Sequence, residues 1–247
     1  VKFSNTFGKI YNDICLKYNI PILFTRAAQD LTSHKKKLVL GQAGIKGTAY
    51  CKKIMAQCDL VINFGSRLAP QFIGHNFEAF NKAKIISVDI EKDELNKKGA
   101  KIGIKVNADL KIFIPKFLKE LKKTKQLNFK NWGDYCDKLK LEKIKYTSYK
   151  KNPIDLYYFM SQLGDYSTKK HVLITDAGSN YYIGGQVWQF EKGQKEITSI
   201  TNAAMGLSIP LAIGAAVADK NKQILAVTGD GSLELNIQEL KTMSHYN

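Results

Sequence analysis

The segment Gly229-Asp230-Gly231-Ser232 has the residue types and spacing of a site for a phosphate and a metal ion. It follows an apolar run typical of a buried strand (residues 223–228) and precedes a run with helical periodicity (residues 235–245). Glycines at such a turn let a ligand approach the backbone, where free N–H groups and the helix dipole favour negative charge. Because Asp230 would repel a phosphate, the turn predicts a diphosphate bound together with Mg²⁺ on that carboxylate. The alternative is an ordinary strand–helix turn with an acidic residue near the helix start.

Two further segments in the second half of the chain point to the same kind of ligand. The segment Asp176-Ala177-Gly178-Ser179-Asn180 follows a predicted strand, at the edge where parallel sheets bind ligands. The segment from Thr201 to Gly206 leads into a run of small residues (203–218), which would let a helix pack closely on the sheet. The pair Gly184-Gly185 predicts only a turn.

Strand and helix signals alternate along both halves of the chain. Strands are predicted at residues 21–25, 60–65, 84–90, 102–106, 171–176 and 223–228, and helices at 48–58, 110–121, 132–141 and 153–163. This alternation predicts an α/β fold with doubly wound parallel sheets. A Lys-rich stretch without clear periodicity divides the chain into a first domain (1–123), a linker (124–152) and a second, truncated α/β domain (153–247).

The length, composition and charge of the chain indicate a two-domain protein that does not bind nucleic acid. The 247 residues suffice for two domains, and 44% of them are hydrophobic. The net charge is +16, from 38 Lys and Arg against 22 Asp and Glu, but the lysines are scattered and only Arg26 and Arg67 are arginines. A nucleic-acid site would concentrate the charge and use arginine, so we expect no nucleic-acid partner.

The four cysteines show no Cys-x-x-Cys pair and no zinc spacing, which predicts reduced core residues. No apolar run reaches the roughly 18 residues that a membrane span needs, and no signal-peptide pattern is present. We therefore expect a cytoplasmic protein without a membrane partner. The pattern Gly41-x-x-Gly44-x-x-Gly47 follows no predicted strand and lacks a Gly-x-Gly start, so it does not indicate a dinucleotide fingerprint.

The segment from Ala203 to Leu240 resembles the cofactor core of thiamine-diphosphate enzymes of the acetolactate synthase/pyruvate oxidase group. Residues 1–123 are similar to the central, Rossmann-like domain of that family, a doubly wound sheet of six strands. The resemblance covers nearly the whole chain, and in this first part it is clearest at Gly65-Ser66-Arg67, Val88-Asp89-Ile90 and Val106-Asn107-Ala108-Asp109.

The resemblance implies a role for each segment of the second half. Asp230 would ligate Mg²⁺, and the turn that begins at Gly229 would hold the diphosphate through the backbone N–H groups of Gly231 and Ser232. A second turn would contact the diphosphate through Gly178, Ser179 and Asn180.

The same resemblance implies that the Ala203 carbonyl and the Met205 N–H bind the aminopyrimidine. The Met205 side chain would lie between the two rings and bend the cofactor, which brings its 4′-amino group beside C2 of the thiazolium. Methionine suits that place because it is unbranched and adaptable. A Met taken alone favours ordinary core packing, whereas beside the other two motifs Met205 favours the position between the rings.

Two parts of the family pattern have no counterpart in residues 1–247. These are the pyrimidine-binding domain with its glutamate, which protonates the aminopyrimidine N1′, and an asparagine that is the second metal ligand. The chain starts without Met and ends at Tyr246-Asn247 inside a predicted helix. We therefore expect a central domain plus half of a diphosphate domain, inactive alone, and in the intact enzyme a homodimer or tetramer through the cofactor and pyrimidine domains.

Flavin binding is doubtful on the sequence. Family members that bind FAD carry acidic residues after the arginine that corresponds to Arg67, whereas here residues 68–74 contain none. The sequence is compatible with two alternatives: a nucleotide-type fold that has lost FAD, or one that still binds a flavin.

The resemblance implies decarboxylation of a 2-keto acid such as pyruvate, with transfer of the two-carbon unit to a carbonyl acceptor. The acceptor could be another 2-keto acid or a keto-sugar nucleotide of surface-sugar synthesis. A 2-keto acid decarboxylase or oxidase and a non-catalytic nucleotide-binding module also stay open as hypotheses.

Overall fold

The computed structural model describes residues 4–44, 46–74, 78–80, 82–98, 101–124, 127–142, 153–200 and 202–246. Thr201, Asn247 and the part of the predicted linker from 143 to 152 lie outside the described residues. The chain divides into two compact units. Unit 1 comprises Val1–Thr25 with Lys36–Lys143, and unit 2 comprises Arg26–Lys35 with Ile144–Asn247.

Strand pairing confirms the predicted α/β fold, because every pairing between described strands is parallel. The strands are β1 (Ile22–Phe24), β2 (Val39–Gln42), β3 (Leu60–Phe64), β4 (Lys84–Asp89), β5 (Ile104–Asn107), β6 (His171–Thr175), β7 (Lys195–Thr198) and β8 (Gln223–Val227). Within unit 1 they form a sheet β1-β2 and a sheet β3-β4-β5, where the resemblance implied one sheet of six strands. Within unit 2 the order is β7-β6-β8.

Helices connect the strands, as parallel pairing requires. They are α1 (Ser4–Ile10, continued by a π-helical turn Tyr11–Leu16), α2 (Ala49–Gln57), α3 (Pro70–Ile73), α4 (Lys92–Asn96), α5 (Leu110–Leu121), α6 (Lys130–Leu141), α7 (Leu156–Tyr166), α8 (Ser179–Val187), α9 (Ser208–Ala218), α10 (Asp230–Glu234) and α11 (Glu239–Tyr246). Short 3₁₀ helices lie at Arg26–Leu31 and Glu78–Phe80. Among the described residues, none of these helices has the length and apolar character needed to cross a membrane.

Helix boundaries follow their capping residues. The helix predicted at 110–121 is observed with those bounds, and the Asp109 side chain accepts a hydrogen bond from Lys111 N at 2.7 Å as its N-cap. The helix predicted to start at Pro153 instead begins at Leu156, because Asp155 caps it by accepting from Tyr158 N at 3.1 Å.

The core of unit 1 contains the cysteines that the sequence predicts to be buried. Cys51 and Cys136 lie fully buried with Leu40 and Ile54. All four cysteines are free thiols. Burial raises the pKa of the Cys51 thiol to about 12, so it stays protonated and behaves as a small apolar side chain.

Of the repeated glycines of unit 1, Gly41 lies in a strand and Gly44 and Gly47 follow it, which corrects the sequence interpretation. β2 contains Gly41, and its four residues are all buried. A Cβ on Gly44 would lie 2.5 Å from the Phe72 carbonyl oxygen, and one on Gly47 would lie 2.5 Å from the Gln42 carbonyl oxygen. Both glycines therefore allow close packing of the chain on itself.

Unit 2 has helices on both faces of its sheet. Val172 and Ile174 of β6 pack with Ala212 and Ala215 of α9. The intervening Leu173 packs on the opposite face, in a cluster with Met160, Val187, Trp188 and Phe190. Because successive strand side chains point to opposite faces, β6 is covered on both sides, as a doubly wound sheet requires.

Three boundaries in unit 2 differ from the sequence prediction. Gly184-Gly185 lies inside α8 rather than at a turn. α9 begins only at Ser208, because Ala203 and Gly206 have left-handed φ values of 44° and 83°. The helical run at 235–245 is broken between α10 and α11, where the Asn236 side chain donates to the Gly206 carbonyl at 2.6 Å instead of facing solvent.

We expect Gly47→Ala to destabilise unit 1 by about 1–3 kcal/mol, since its methyl group would overlap backbone atoms that cannot move aside. Urea unfolding monitored by hydrogen exchange mass spectrometry would report the loss for unit 1 separately from unit 2. The matched control is Gly8→Ala in α1, where a Cβ meets no heavy atom within 4 Å and helix propensity predicts a gain of about 0.5–1 kcal/mol. Equal stability of the two variants would contradict the packing role of Gly47.

Candidate functional site

The carboxylate of Asp176 is the centre of the carboxyl edge of the unit 2 sheet. It follows β6 directly and is fully buried. Its Oδ1 accepts from Ala177 N at 2.7 Å. Its Oδ2 accepts from Ser208 N at 3.3 Å, from Thr228 Oγ1 at 3.2 Å and from Ser232 Oγ. One carboxylate thereby joins the end of β6, the start of α9, the end of β8 and α10.

The hydrogen bonds to Asp176 lower the pKa of its carboxyl group. Burial by itself would raise the pKa of this carboxyl, but the hydrogen bonds from Ser232, Ala177 and Ser208 outweigh it and hold the pKa below its ordinary value. Asp176 is therefore ionised at neutral pH, and every donor named here points inward at it.

Ser232 connects the Gly229-Asp230-Gly231-Ser232 turn to the preceding loop. Its hydroxyl donates to Asp176 and accepts from Gly206 N at 2.7 Å. The Gly206 carbonyl accepts from Asn236 Nδ2 at 2.6 Å. The loop that carries Met205 is thus held by both the N–H and the C=O of Gly206 to the segment that carries Asp230.

The structure brings Met205 and Gly231 together, as a common site requires. Met205 is 53% exposed. A Cβ built on Gly231 would lie 3.5 Å from Met205 Cε, so the methionine side chain covers this glycine. Ala203 adopts a left-handed φ of 44°, unusual for a residue other than glycine, and Ser199 holds it by accepting from Ala203 N at 2.9 Å. Backbone of this kind concentrates at ligand sites.

The segment Asp176–Asn180 forms the second predicted turn. Gly178 has φ 74° and ψ −153°, is exposed, and precedes α8 as its N-cap residue. Ser179 is exposed on the first turn of that helix, whereas Asn180 is buried. Among the described residues the Asn180 Oδ1 has no hydrogen-bond partner.

Asp230 and its neighbours are open to solvent. Asp230 and Gly229 are exposed, and Asp230 Oδ1 accepts from Gly231 N at 2.8 Å. A Cβ on Gly229 or on Gly178 would meet no heavy atom within 4 Å, so both backbones border open space. Within the described residues no group of three or more His, Cys, Asp and Glu side chains could hold a metal ion.

These residues fit a diphosphate with Mg²⁺. Open space lies beside two glycines at the ends of parallel strands, and an exposed carboxylate of the type that Mg²⁺ prefers lies in the same turn as one of them. The first-turn N–H groups from Asp230 to Ser232 lie at a helix start, where the backbone favours an anion.

The residues that assemble this edge were missed in the sequence. Asp176, Thr228, Ser208 and Asn236 supply the hydrogen bonds that join the segments, and none of them was predicted as a site residue. For Asp176 a signal existed, an acidic residue at the end of an apolar strand. The other three are polar residues whose partners lie 30 or more positions away in the chain.

The corresponding edge of β3-β4-β5 in unit 1 carries an ion pair and a local hydrogen bond. Arg67 Nε donates to Glu94 at 2.6 Å, and Lys97 pairs with the same carboxylate at 3.1 Å. Partial burial would raise the pKa of Glu94, but these donors lower it, so the ion pair is formed at neutral pH. Asp89 Oδ1 accepts from Glu91 N at 2.9 Å.

Family comparisons agree with this geometry. Residues 9–121 match the central domain of thiamine pyrophosphate enzymes, and residues 176–247 match their C-terminal thiamine-pyrophosphate-binding domain. The chain belongs to the thiamine pyrophosphate enzymes, which confirms the resemblance seen in the sequence.

Acetolactate synthases are among its relatives. The chain is 28% identical over 243 residues to a probable acetolactate synthase large subunit of Methanococcus aeolicus, covering 93% of this chain and 40% of the relative. It is 29% identical over 238 residues to the large subunit of Lactococcus lactis (96% and 41%) and 30% identical over 234 residues to that of Cyanidium caldarium (92% and 39%). The chain thus spans about two fifths of the length of these relatives.

We expect Asp176→Asn to lower the free energy of unfolding of unit 2 by about 2–3 kcal/mol at pH 7, since the charged acceptor of several hydrogen bonds is lost. The folded-state pKa of Asp176 lies below the unfolded value of about 3.9. Its stabilisation is therefore present above about pH 4 and is lost as the pH falls through the folded pKa. Urea unfolding between pH 3 and 7 would measure this loss, because the unfolding free energies of the wild type and the variant should become more similar as the pH falls.

The control for that series is Asp165→Asn, an exposed aspartate of unit 2 whose replacement should change stability by less than about 0.5 kcal/mol. A difference between wild type and Asp176→Asn that stays constant over the whole pH range would contradict the assignment.

We expect the purified protein to be colourless or only partly loaded with flavin, because Arg67 is paired with Glu94 and no acidic residue follows it in the chain to 74. The visible absorbance of the protein against its concentration measures this directly. Stoichiometric flavin would contradict this expectation and show that the missing acidic residues do not prevent flavin binding.

Proposed function

We propose that the protein is a thiamine-diphosphate- and Mg²⁺-dependent enzyme that decarboxylates a 2-keto acid, pyruvate, and transfers the two-carbon unit to a carbonyl acceptor. The observation that carries this proposal is the hydrogen-bonded junction in which Ser232 ties the Asp230 turn to the loop of Met205. Membership of the thiamine pyrophosphate enzymes and the similarity to acetolactate synthase large subunits support it.

The proposed metal ligand is Asp230. Mg²⁺ takes about six oxygen ligands, so one exposed carboxylate would be joined by diphosphate oxygens and water. The diphosphate itself would be held by backbone N–H groups, which carry no negative charge and can approach closely where glycine leaves the backbone open. The residues proposed for this are Gly178, Ser179, Asn180, Gly229, Gly231 and Ser232.

The proposed aminopyrimidine contacts are the Ala203 carbonyl and the Met205 N–H, with the Met205 side chain as the wedge between the cofactor rings. The exposure of Met205 and the left-handed Ala203 support this assignment, because neither is explained by packing of the core. Ser199 and Ser232 hold the two ends of this loop.

The proposed reaction breaks the bond between C1 and C2 of the 2-keto acid, releases CO₂, and forms a new bond from the former C2 to the carbonyl carbon of the acceptor. The chemistry that thiamine diphosphate supplies when bound is stabilisation of the electron pair left as CO₂ departs. The residues of this chain position the diphosphate and the two rings. We propose a second 2-keto acid as the acceptor, in keeping with relatives named acetolactate synthase, and a homodimer or tetramer as the assembly.

In the intact enzyme we expect Asp230→Ala to abolish Mg²⁺-dependent binding of thiamine diphosphate, since it removes the one carboxylate that residues 229–232 offer the ion. Titration calorimetry with Mg²⁺ and thiamine diphosphate measures the dissociation constant. The matched control is Asp219→Ala, an exposed aspartate of the same unit. An unchanged dissociation constant in Asp230→Ala would overturn the metal assignment.

Release of CO₂ from pyruvate by the full-length protein, with thiamine diphosphate and Mg²⁺, tests the reaction. Formation of acetolactate identifies pyruvate as the acceptor as well. The absence of CO₂ from any of several 2-keto acids would contradict the proposal and favour a non-catalytic binding module.

A further inference from the structure

A short segment from the first part of the chain is built into unit 2. Arg26–Lys35 lies between β1 and β2 in sequence, yet it belongs to unit 2. Its residues Arg26 and Asp30 are buried, as is Glu196 of β7. A buried cluster of three charged side chains is costly unless each charge is paired, so its contacts are informative.

Arg26 contacts three elements of unit 2 at once. Its Nη2 donates to Glu196 in β7 and to Thr175 Oγ1 at the end of β6, the latter at 3.4 Å. Its Cζ lies 4.9 Å from the ring centroid of Tyr181 in α8, a cation–π contact. The guanidinium therefore links β6, β7 and α8.

The same segment covers the outer edge of β7. Asp30 Oδ2 accepts from Glu196 N at 3.2 Å and lies 3.9 Å from Lys195 Nζ. Among the described strands, β7 is an edge strand whose ladder partner is β6. Asp30 thus fixes the strand on the side that the sheet leaves open.

α8 leaves room for the guanidinium. A Cβ on Gly184 would lie 3.4 Å from Arg26 Nη2 and 3.1 Å from Met160 Cε. The contact with Met160 is tight, whereas the distance to Arg26 is an ordinary van der Waals contact, so Gly184 lets α8 lie close to both side chains.

Each element that Arg26 contacts leads into the candidate site. Thr175 is the neighbour of Asp176 in the chain, and α8 begins at Ser179. β7 ends at Thr198, and the next residue, Ser199, accepts from Ala203 N at 2.9 Å and from Ala204 N at 3.2 Å. A shift of β7 would therefore move the loop that carries Met205.

We propose that Arg26, with Glu196 as its partner, is a positioning residue that holds the 177–180 turn and the 203–206 loop in the geometry that binds thiamine diphosphate. This inference rests on the proposed function for the identity of the ligand. A buried ion pair is seldom more stabilising than two apolar residues of the same volume, so its role lies in fixing one arrangement of the elements around it.

The decisive variant is the double substitution Arg26→Met with Glu196→Met, which removes both charges and leaves two apolar side chains of similar length. We expect a melting temperature close to that of the wild type. We expect the dissociation constant for thiamine diphosphate with Mg²⁺ to rise about 10- to 100-fold, the usual effect of losing a residue that orients a ligand. In the protein without cofactor, amide hydrogen exchange should accelerate at 203–206 and 177–180 but not in β3–β5.

The matched control is Lys35→Ala with Glu191→Ala, which removes the exposed ion pair between the same segment and unit 2. It should change neither binding nor exchange. A double Met variant with wild-type affinity and wild-type exchange would overturn the proposal.

Arg26→Lys keeps the charge but loses the planar guanidinium that contacts both Glu196 and the Tyr181 ring. This variant therefore tests the proposal if the double variant does not fold. Weaker cofactor binding at an unchanged melting temperature supports the positioning role, and wild-type binding overturns it. If the wild type itself binds no thiamine diphosphate, the proposed function fails, while the exchange at 203–206 in the free protein still decides the role of Arg26.

Discussion

The buried carboxylate of Asp176 is the constraint on which the carboxyl edge of unit 2 depends. An ionised group without water must be surrounded by donors, and here the donors come from segments at positions 208, 228 and 232. None of these segments can move away without leaving the charge less satisfied. The glycine turn after β8 is therefore held in place by a residue that does not itself face the open space where a ligand would lie.

A second consequence concerns the backbone near this edge. The left-handed conformation of Ala203 is costly unless its surroundings hold it, and the hydrogen bonds from Ala203 N and Ala204 N to Ser199 do so. Gly206 adopts a positive φ without steric cost and is held by Ser232 and Asn236. At this edge, buried hydrogen bonds hold the backbone, while Met205, Asp230 and Gly178 are exposed to solvent. Such a division lets the outer groups meet a ligand without first being ordered by it.

Much of this architecture is visible in the sequence, because its signals are local. The parallel α/β fold follows from apolar strands alternating with helices, and the bounds of α5 follow from its period and its Asp109 cap. The three segments of the site are recognisable from their glycines and from their place after strands. What escaped prediction depends on distant contacts: β7 carries the poor strand formers Lys195 and Glu196, and its partner Arg26 lies 170 positions away. Gly184 was predicted to lie in a turn because the side chains that come close to it, Met160 and Arg26, belong to other elements.

The buried Arg26–Glu196 pair also bears on how the chain is made. During synthesis Arg26 leaves the ribosome well before β6, β7 and α8. Its side chain therefore stays exposed to solvent until Glu196, 170 positions later, has been synthesised. Contacts of such long sequence separation form slowly, because closing the intervening loop costs entropy. Unit 2 can therefore complete its fold only after its final strands are translated, although one of its buried residues leaves the ribosome long before them.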